Sequence, residues 1–595
     1  MLSFLQKFKK SGPEPSKDDA SNGSGIESNE SLDFSKGNLT YENEEEEPQF
    51  HWRTIVACVT MFMLNFVQVV ALEGPPAVLT YIGKDLNAET TETWIPNSLS
   101  LVQAVVGPMI ASSSDLFQAR KILLVSCCTL SFIGCAIAPG AQEIGRLIAA
   151  QTLIGFGFAC APLAYSIPAE ILPRRWRSIV QGVVNIAAAL GAIAGPLIIG
   201  ALVEGDQMDG WRDFYWIQMA LWGVTILGLL FGYMPPKRIT AVDSLKWWQK
   251  VLKLDLIGFF LLLAGLVLTL VGLTMGGTEY PWSDSRVIGT LVSGLVVLHL
   301  FLLYEWKGTS VGILNHELFR GGEGREGLGR TFAICLLLIF LEGALLFSYM
   351  IFYPIMTATL FETDPFLQVL RAQPFWIANG IVTGLYGLYS TRFRSFRIPM
   401  AFGFTLFTAG IVGFATIEPG DSTNALIFSG LAGIGFGGPL VLIISAVQLA
   451  VPHHLICTAT AVAISARGIA AAVFTASLTA ALDSQESTLV PQDVSAAVVQ
   501  AGLPSSSVDA FLAALSSENI TAVAAVPGIT PEIAEAGLTA FKQAMADSIR
   551  IVWEITAPFG AVAVIACIFL GSLKKVMDFK VQAPMEKLQA KVPRS

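Results

Sequence analysis

The chain has 595 residues, 53% of them hydrophobic and 14% charged, with a mean hydropathy of +0.60 and a formal net charge of -9. Soluble domains carry about 25% charged residues, so this composition excludes a soluble globular chain and requires a membrane protein. The negative charge is localised: residues 1–50 hold 11 acids against 5 bases, and residues 483–549 hold 8 acids against Lys542 alone.

In chain order, residues 1–53 are Ser/Gly/Asn-rich, include the run Glu44–Glu47 and read as a disordered acidic tail. The opening MLSFLQKFKK has too short an apolar core for a secretory signal, so the first span does the targeting. Nearly uncharged segments of about twenty residues can cross the hydrocarbon core as helices. They are expected at 54–72, 93–114, 121–139, 144–166, 179–203, 211–234 and 254–274, then at 287–305, 331–352, 374–391, 399–418, 425–449, 458–482 and 550–572. Fourteen spans place both termini on one side. That side collects 29 of the 37 Lys and Arg against 7 on the other, with Arg467 inside a span. The positive-inside rule then makes both termini cytoplasmic.

The eight cysteines fall within or at the edge of spans, which implies no disulfide framework. The five histidines are scattered, so neither a metal site nor a cofactor is expected. The long external loop 483–549 has helix-like stretches near 506–517 and 531–548 separated by Pro527-Gly528, and reads as a small ordered cap. Within it, Asn519-Ile-Thr521 is a glycosylation sequon on the accessible face, whereas Asn38-Leu-Thr40 faces the cytoplasm.

Two stretches look alike: Leu153-Ile-Gly155-Phe-Gly157 to Leu172-Pro173, and Leu431-Ala-Gly433-Ile-Gly435 to Val451-Pro452. Each is a glycine-rich span ending at Pro and followed by an Ala/Gly-rich span. This suggests a six-helix unit used twice, 54–234 and 331–572, with a linker carrying two inserted helices (235–330) and a cytoplasmic tail (573–595). Paired repeats with a midplane substrate site are common in secondary transporters. Small-residue helix packing is the alternative.

Span 5 reads GVVNIAAALGAIAGPLIIG from Gly182 to Gly200. Gly191, Gly195 and Gly200 are expected near one face as a close-packing seam, and Pro196, which removes a backbone hydrogen bond, makes the seam a candidate pivot. The pattern Gly182, Gly191, Gly195-Pro196, Gly200 resembles the antiporter signature of major facilitator drug:proton exchangers. The likeness extends along nearly the whole chain to the fungal trichothecene efflux pump family. Its carriers are Glu170-Ile-Leu-Pro173-Arg-Arg-Trp-Arg177, Gly210-Trp211-Arg212, Leu254-Asp255-Leu-Ile-Gly258 and Tyr304-Glu305-Trp306. The resemblance implies an all-α fold of fourteen membrane helices and a cytoplasmic gate built from Asp115, Arg120, Lys121, Glu170 and Arg177. The chain departs from the superfamily at Ala111 and Gln118-Ala119 in the loop between spans 2 and 3. It also has Gln151 where drug exchangers carry an Arg, and Asn65 and Gln68 in place of a membrane acid in span 1.

Two ionisable groups lie deep in spans, Glu342 and Arg467. Such groups cost at least about 2.5 kcal/mol in a bilayer and usually face a partner or a water-filled cavity. A buried carboxylate next to a guanidinium can hold and release a proton, because desolvation favours the neutral acid and the cation the ionised one. A static bridge or no contact are the alternatives. Asn65, Gln68, Gln103, Gln151, Asn185 and Asn379 are candidates for lining a central polar cavity, each otherwise a helix–helix hydrogen bond. With the family resemblance, the expectation is a monomeric, plasma-membrane, proton-coupled exporter of an amphipathic small molecule such as a fungal secondary metabolite, toxin or drug. It has no cofactor and no nucleic-acid partner, and a vacuolar or vesicle membrane is the alternative location. Siderophore-iron uptake and a non-transporting receptor are the rival functions. An enzyme is not expected, since no nucleophile–base pair or nucleotide loop is present.

Overall fold

A computed structural model describes residue 41 and residues 43–589 apart from 89–90, 207, 236–245, 252, 277–279, 310–311, 321–326, 517–525 and 586–587. The acidic stretch 1–40, both residues of Asn38-Leu-Thr40 that matter for glycosylation, and Asn519 lie outside the described residues. The first half holds α1 (Trp52–Glu73), α2 (Leu79–Asp85), α3 (Trp94–Phe117), α4 (Arg120–Ile137), α5 (Ile144–Phe158), α6 (Ala161–Ile171), α7 (Arg177–Gly205) and α8 (Gly210–Gly232). Between the halves come α9 (Trp247–Val251), α10 (Leu256–Met275), α11 (Ser285–Leu303) and α12 (Glu317–Arg320). The second half is α13 (Leu328–Leu360), α14 (Pro365–Phe393), α15 (Arg397–Phe414), α16 (Ser422–Ala450), α17 (Ile456–Gln500), α18 (Val508–Ser516) and α19 (Pro531–Ile568). Among the described residues extended pairing is limited to two isolated bridges.

Among the described residues, thirteen helices are long and apolar enough to cross a membrane. The expected span 374–391 lies in α14, which is long enough but carries Gln368, Arg371, Gln373, Asn379, Thr383 and Arg392 and so falls short on apolarity. Exposed Phe260, Val292, Leu295, Ile381, Leu385 and Phe402, all on these helices, form an outer surface that only lipid would cover. The inserted α10 and α11 pack on each other and reach the rest through α3 and α17.

Buried apolar residues fall into three clusters. One gathers α1–α8 with Cys457 and Ala461 of α17, and a second gathers α13–α17 and α19 with Val105, Tyr165 and Val184 of the first half and Leu262, Leu266 and Phe301 of α10 and α11. The third, around Val494, Val498, Phe511 and Ile533, is the core of a cap built on the end of α17, α18 and the start of α19. The expected boundary at 482 is not a helix end: α17 continues to Gln500, because Val490, Val494 and Val498 keep an apolar stripe at i, i+4, i+8 on which α18 packs. The expected span 144–166 falls in one candidate span, Ile144–Ile171, made of two helical pieces, α5 and α6, that meet at Ala159-Cys160 with Pro162 in the first turn of α6.

The repeated Pro motifs share local structure. Pro173 and Pro452 each have extended backbone, each is followed by a single 3-10 turn (Arg174–Trp176 and His453–Leu455), and each turn runs into a long helix, α7 and α17. Proline lacks an N–H and fixes its φ, so it stops the preceding helix and starts the next in the same way at both places.

Candidate functional site

The two deep charges meet. Arg467 of α17 donates from Nε to Glu342 Oε2 of α13 at 2.7 Å, with Glu342 fully buried. The helices touch there because the next residue is glycine: a Cβ on Gly343 would lie 2.9 Å from the Arg467 carbonyl oxygen. The bridge is single-toothed. Among the described residues Glu342 Oε1 and Arg467 Nη2 are buried without a partner, so neither charge is fully satisfied. Tyr165 of α6 lies within electrostatic reach of both.

Most of the amides form ties between helices. Asn65 Nδ2 donates to the Val184 carbonyl at 2.7 Å and Gln68 Nε2 to the Gly157 carbonyl at 2.8 Å, joining α1 to α7 and to α5. Asn185 donates to the Gln181 carbonyl at 2.9 Å and accepts from the Tyr165 hydroxyl at 3.2 Å. Gln151 donates to the Tyr215 hydroxyl at 2.9 Å. It therefore sits between α5 and α8 inside the first half, away from the facing half. Gln103 is half-buried on α3. Asn379 differs: it is fully buried beside Gly437 of α16, and neither amide atom has a partner among the described residues.

Span 5 is wedged between α1 and α14. A Cβ on Gly191 would lie 2.7 Å from the Phe66 carbonyl oxygen and one on Gly195 3.1 Å from that of Val70, both on α1. A Cβ on Gly182 would lie 2.9 Å from the Thr383 carbonyl oxygen, and one on Gly200 3.7 Å from the Phe366 ring, both on α14. The expected single face is thus corrected to two. At about 100° per residue the nine-residue step from Gly191 to Gly200 is half a turn off, whereas the step from Gly182 to Gly200 returns to the same side. Helix α7 runs unbroken through Pro196.

At the end of the bundle that carries Tyr41 and Val581, an ion-pair network crosses between the halves. Asp115, at the end of α3, accepts from Arg120 Nη2 at 3.2 Å and from the Thr458 hydroxyl and N–H at 3.0 and 3.3 Å. A carboxylate there faces the positive N-terminal end of α17. Arg120 also donates to the buried Glu170 at 2.8 Å. Arg177 donates to the Ala169 carbonyl at 3.1 Å, the Gln448 carbonyl at 2.6 Å and Gln582 Oε1 at 2.9 Å. Lys121 is outside this network: one residue further round α4, its ammonium donates to the Leu230 carbonyl at 2.6 Å in the last turn of α8, where the helix end favours a cation.

Sequence reasoning missed Gln181, Gln448 and Thr458. Gln181 donates to the Tyr165 carbonyl at 2.7 Å and to Gln448 Oε1 at 3.0 Å, a side-chain bond between α7 and α16. Both glutamines are polar residues a turn from a span end, and the Pro repeat was the signal that could have paired them.

A family model described as the fungal trichothecene efflux pump matches residues 23–586. An MFS-type transporter, ucsD, of Acremonium sp is 27% identical over 421 residues, covering 70% of this chain and 68% of the relative. The efflux pump dotC of Dothistroma septosporum is 24% identical over 523 residues, covering 87% and 84%. The acurin A biosynthesis cluster MFS-type transporter of Aspergillus aculeatus is 23% identical over 557 residues, covering 92% and 94%. Among solved structures, the major facilitator proton:xylose symporter XylE superposes with a TM-score of 0.54 at 13% identity, covering 88% of this chain and 98% of that one.

Proposed function

The chain belongs to the fungal trichothecene efflux pump family and has the all-helical major facilitator fold, and on that premise we propose that it exports an amphipathic secondary metabolite or toxin by proton antiport with alternating access. The observation that carries the coupling is the Glu342–Arg467 pair. Protonation of Glu342 cancels the charge that holds Arg467, frees the guanidinium and lets α13 and α17 re-pack; deprotonation restores the bridge. The export direction rests on the family and on relatives named as efflux pumps, which do not favour siderophore uptake or a receptor.

In this reading α14 is the fourteenth span, residues 54–234 and 331–572 form the two bundles, and the end carrying the termini is cytoplasmic at the plasma membrane. Asp115, Arg120, Glu170 and Arg177 then latch that side shut, and α7 slides between α1 and α14 on its two glycine faces as the halves rock. Asn379, with its unpartnered amide, is the best placed of the amides to hydrogen-bond substrate. The test is uptake of a panel of fungal metabolites into inside-out vesicles with an imposed pH gradient. Accumulation that follows an inwardly acid gradient and collapses with an uncoupler supports the reading, and accumulation indifferent to the gradient refutes the coupling.

A further inference from the structure

Two described segments, one leading into the first half and one following the second, pair with each other at the gate. Residues 41–50 lead into α1, and residues 576–589 follow α19. Tyr41 and Val581 form an antiparallel bridge, exchanging N–H to carbonyl bonds of 3.1 and 3.0 Å. The Phe579 N–H donates to the Glu44 carbonyl at 3.3 Å, the Gln49 N–H to the Gln589 carbonyl at 2.9 Å, and Lys580 Nζ lies 2.6 Å from Glu44 Oε1. That contact holds the Glu44 carboxyl below its ordinary range. Part of the stretch read from composition as a disordered tail is therefore placed by backbone bonds.

The pair lies on the loop between α6 and α7. The Arg174 N–H donates to the Lys580 carbonyl at 3.2 Å, the Arg175 N–H to the Asp578 carbonyl at 2.8 Å, and the Ala583 N–H to the Glu170 carbonyl at 3.1 Å. Arg174 Nη1 is 3.3 Å from Asp578 Oδ2, the Arg175 guanidinium stacks 5.0 Å over Phe579, and Phe50 packs on Trp176 at 5.2 Å. Gln582 takes the third bond of Arg177, whose first two go to Ala169 and to Gln448 on α16. Val581 and Ala583 are buried. The segment after α19 thus crosses from one half to the loop of the other and binds the residues that already join them.

We propose that these paired termini are a strap that holds the gate at this face closed and must unpair for the halves to part there. The inference rests on the alternating-access reading, but its test needs no substrate. Directly bonded antiparallel partners have Cα atoms about 5.5 Å apart, within the span a disulfide accepts, and the eight native cysteines are buried or half-buried. The Tyr41→Cys, Val581→Cys double variant, oxidised in membranes, should cross-link within one chain. A reporter cysteine at Ser178, buried and next in sequence to Arg177, whose guanidinium binds Gln582 of the strap, should then lose labelling from the terminal face at least about fivefold and regain it on reduction. In the opposite direction Val581→Pro, which removes one bridging N–H, should raise that labelling about threefold or more at unchanged thermal stability. Absence of the cross-link refutes the pairing itself. A cross-link that leaves reporter labelling unchanged, or Val581→Pro labelling equal to that of the parent, overturns the strap. Loss of pH-gradient-driven transport with strap behaviour intact would count against the exporter reading alone.

Discussion

Replacing each glycine of span 5 by alanine should give a graded series rather than four similar defects. An alanine Cβ at position 191 would meet the Phe66 carbonyl oxygen at 2.7 Å and Val69 Cβ at 3.1 Å. Carbon–oxygen contacts ordinarily begin at about 3.3 Å, so α1 and α7 must separate by roughly 0.6 Å, and both obstacles sit on or next to backbone that cannot rotate away. Overpacking of this kind costs about 1–3 kcal/mol, which is roughly 5- to 150-fold in the occupancy of the state that needs the contact. Against that stands the helix preference of Ala over Gly, about 1 kcal/mol at every one of the four positions. Gly182→Ala meets the Thr383 carbonyl oxygen at 2.9 Å and Gly195→Ala the Val70 carbonyl oxygen at 3.1 Å, whereas Gly200→Ala finds only a ring at an ordinary 3.7 Å. The expected order of damage is therefore 191, 182, 195, 200, with Gly200→Ala neutral or more stable. The assay is thermal stability of purified protein together with efflux rate normalised to surface level. Gly191→Ala indistinguishable from Gly200→Ala in both would refute the two-faced wedge.

Asp115→Asn keeps the shape but removes the charge that faces Arg120 and the start of α17. The loss should be about 1–2 kcal/mol, seen as a roughly five- to thirtyfold gain in labelling of a cysteine at Ser178 from the face that carries the network. Unchanged labelling would contradict the latch. Lys121→Ala, whose partner is the end of α8, should leave the same labelling within about twofold of the parent, and a larger change would return Lys121 to the gate. An epitope inserted at Ser505–Ser507, in the turn before α18, should be stained on intact cells. Staining only after permeabilisation would reverse the topology.

That the chain is a bundle of membrane-length helices was legible because hydropathy over about twenty residues is a one-dimensional signal, and the Glu342–Arg467 contact because charges deep in spans have few alternatives. Contacts that depend on which helix stands next were not legible. Gln68 and Gln151 look equivalent in sequence, yet one ties α1 to α5 and the other points to α8. Gly200 was assigned to the wrong face because the i, i+4 spacing of small residues was extended to a nine-residue step. The continuation of α17 past Asp483 was obscured by its charges, since the stripe of Val490, Val494 and Val498 serves the cap rather than the bilayer. Pairing of the termini uses backbone groups, Tyr41 with Val581 above all, and backbone bonding leaves no trace in side-chain composition.

The most direct measurement is concentrative export across external pH for Glu342→Gln at matched surface level. Gln preserves size and hydrogen bonding to Arg467 but cannot carry a proton. The account predicts that the variant still binds substrate and exchanges it downhill while losing accumulation against a gradient and its dependence on pH. Full pH-dependent concentrative export by Glu342→Gln would make the Glu342–Arg467 bridge a structural lock and place the proton on another acid.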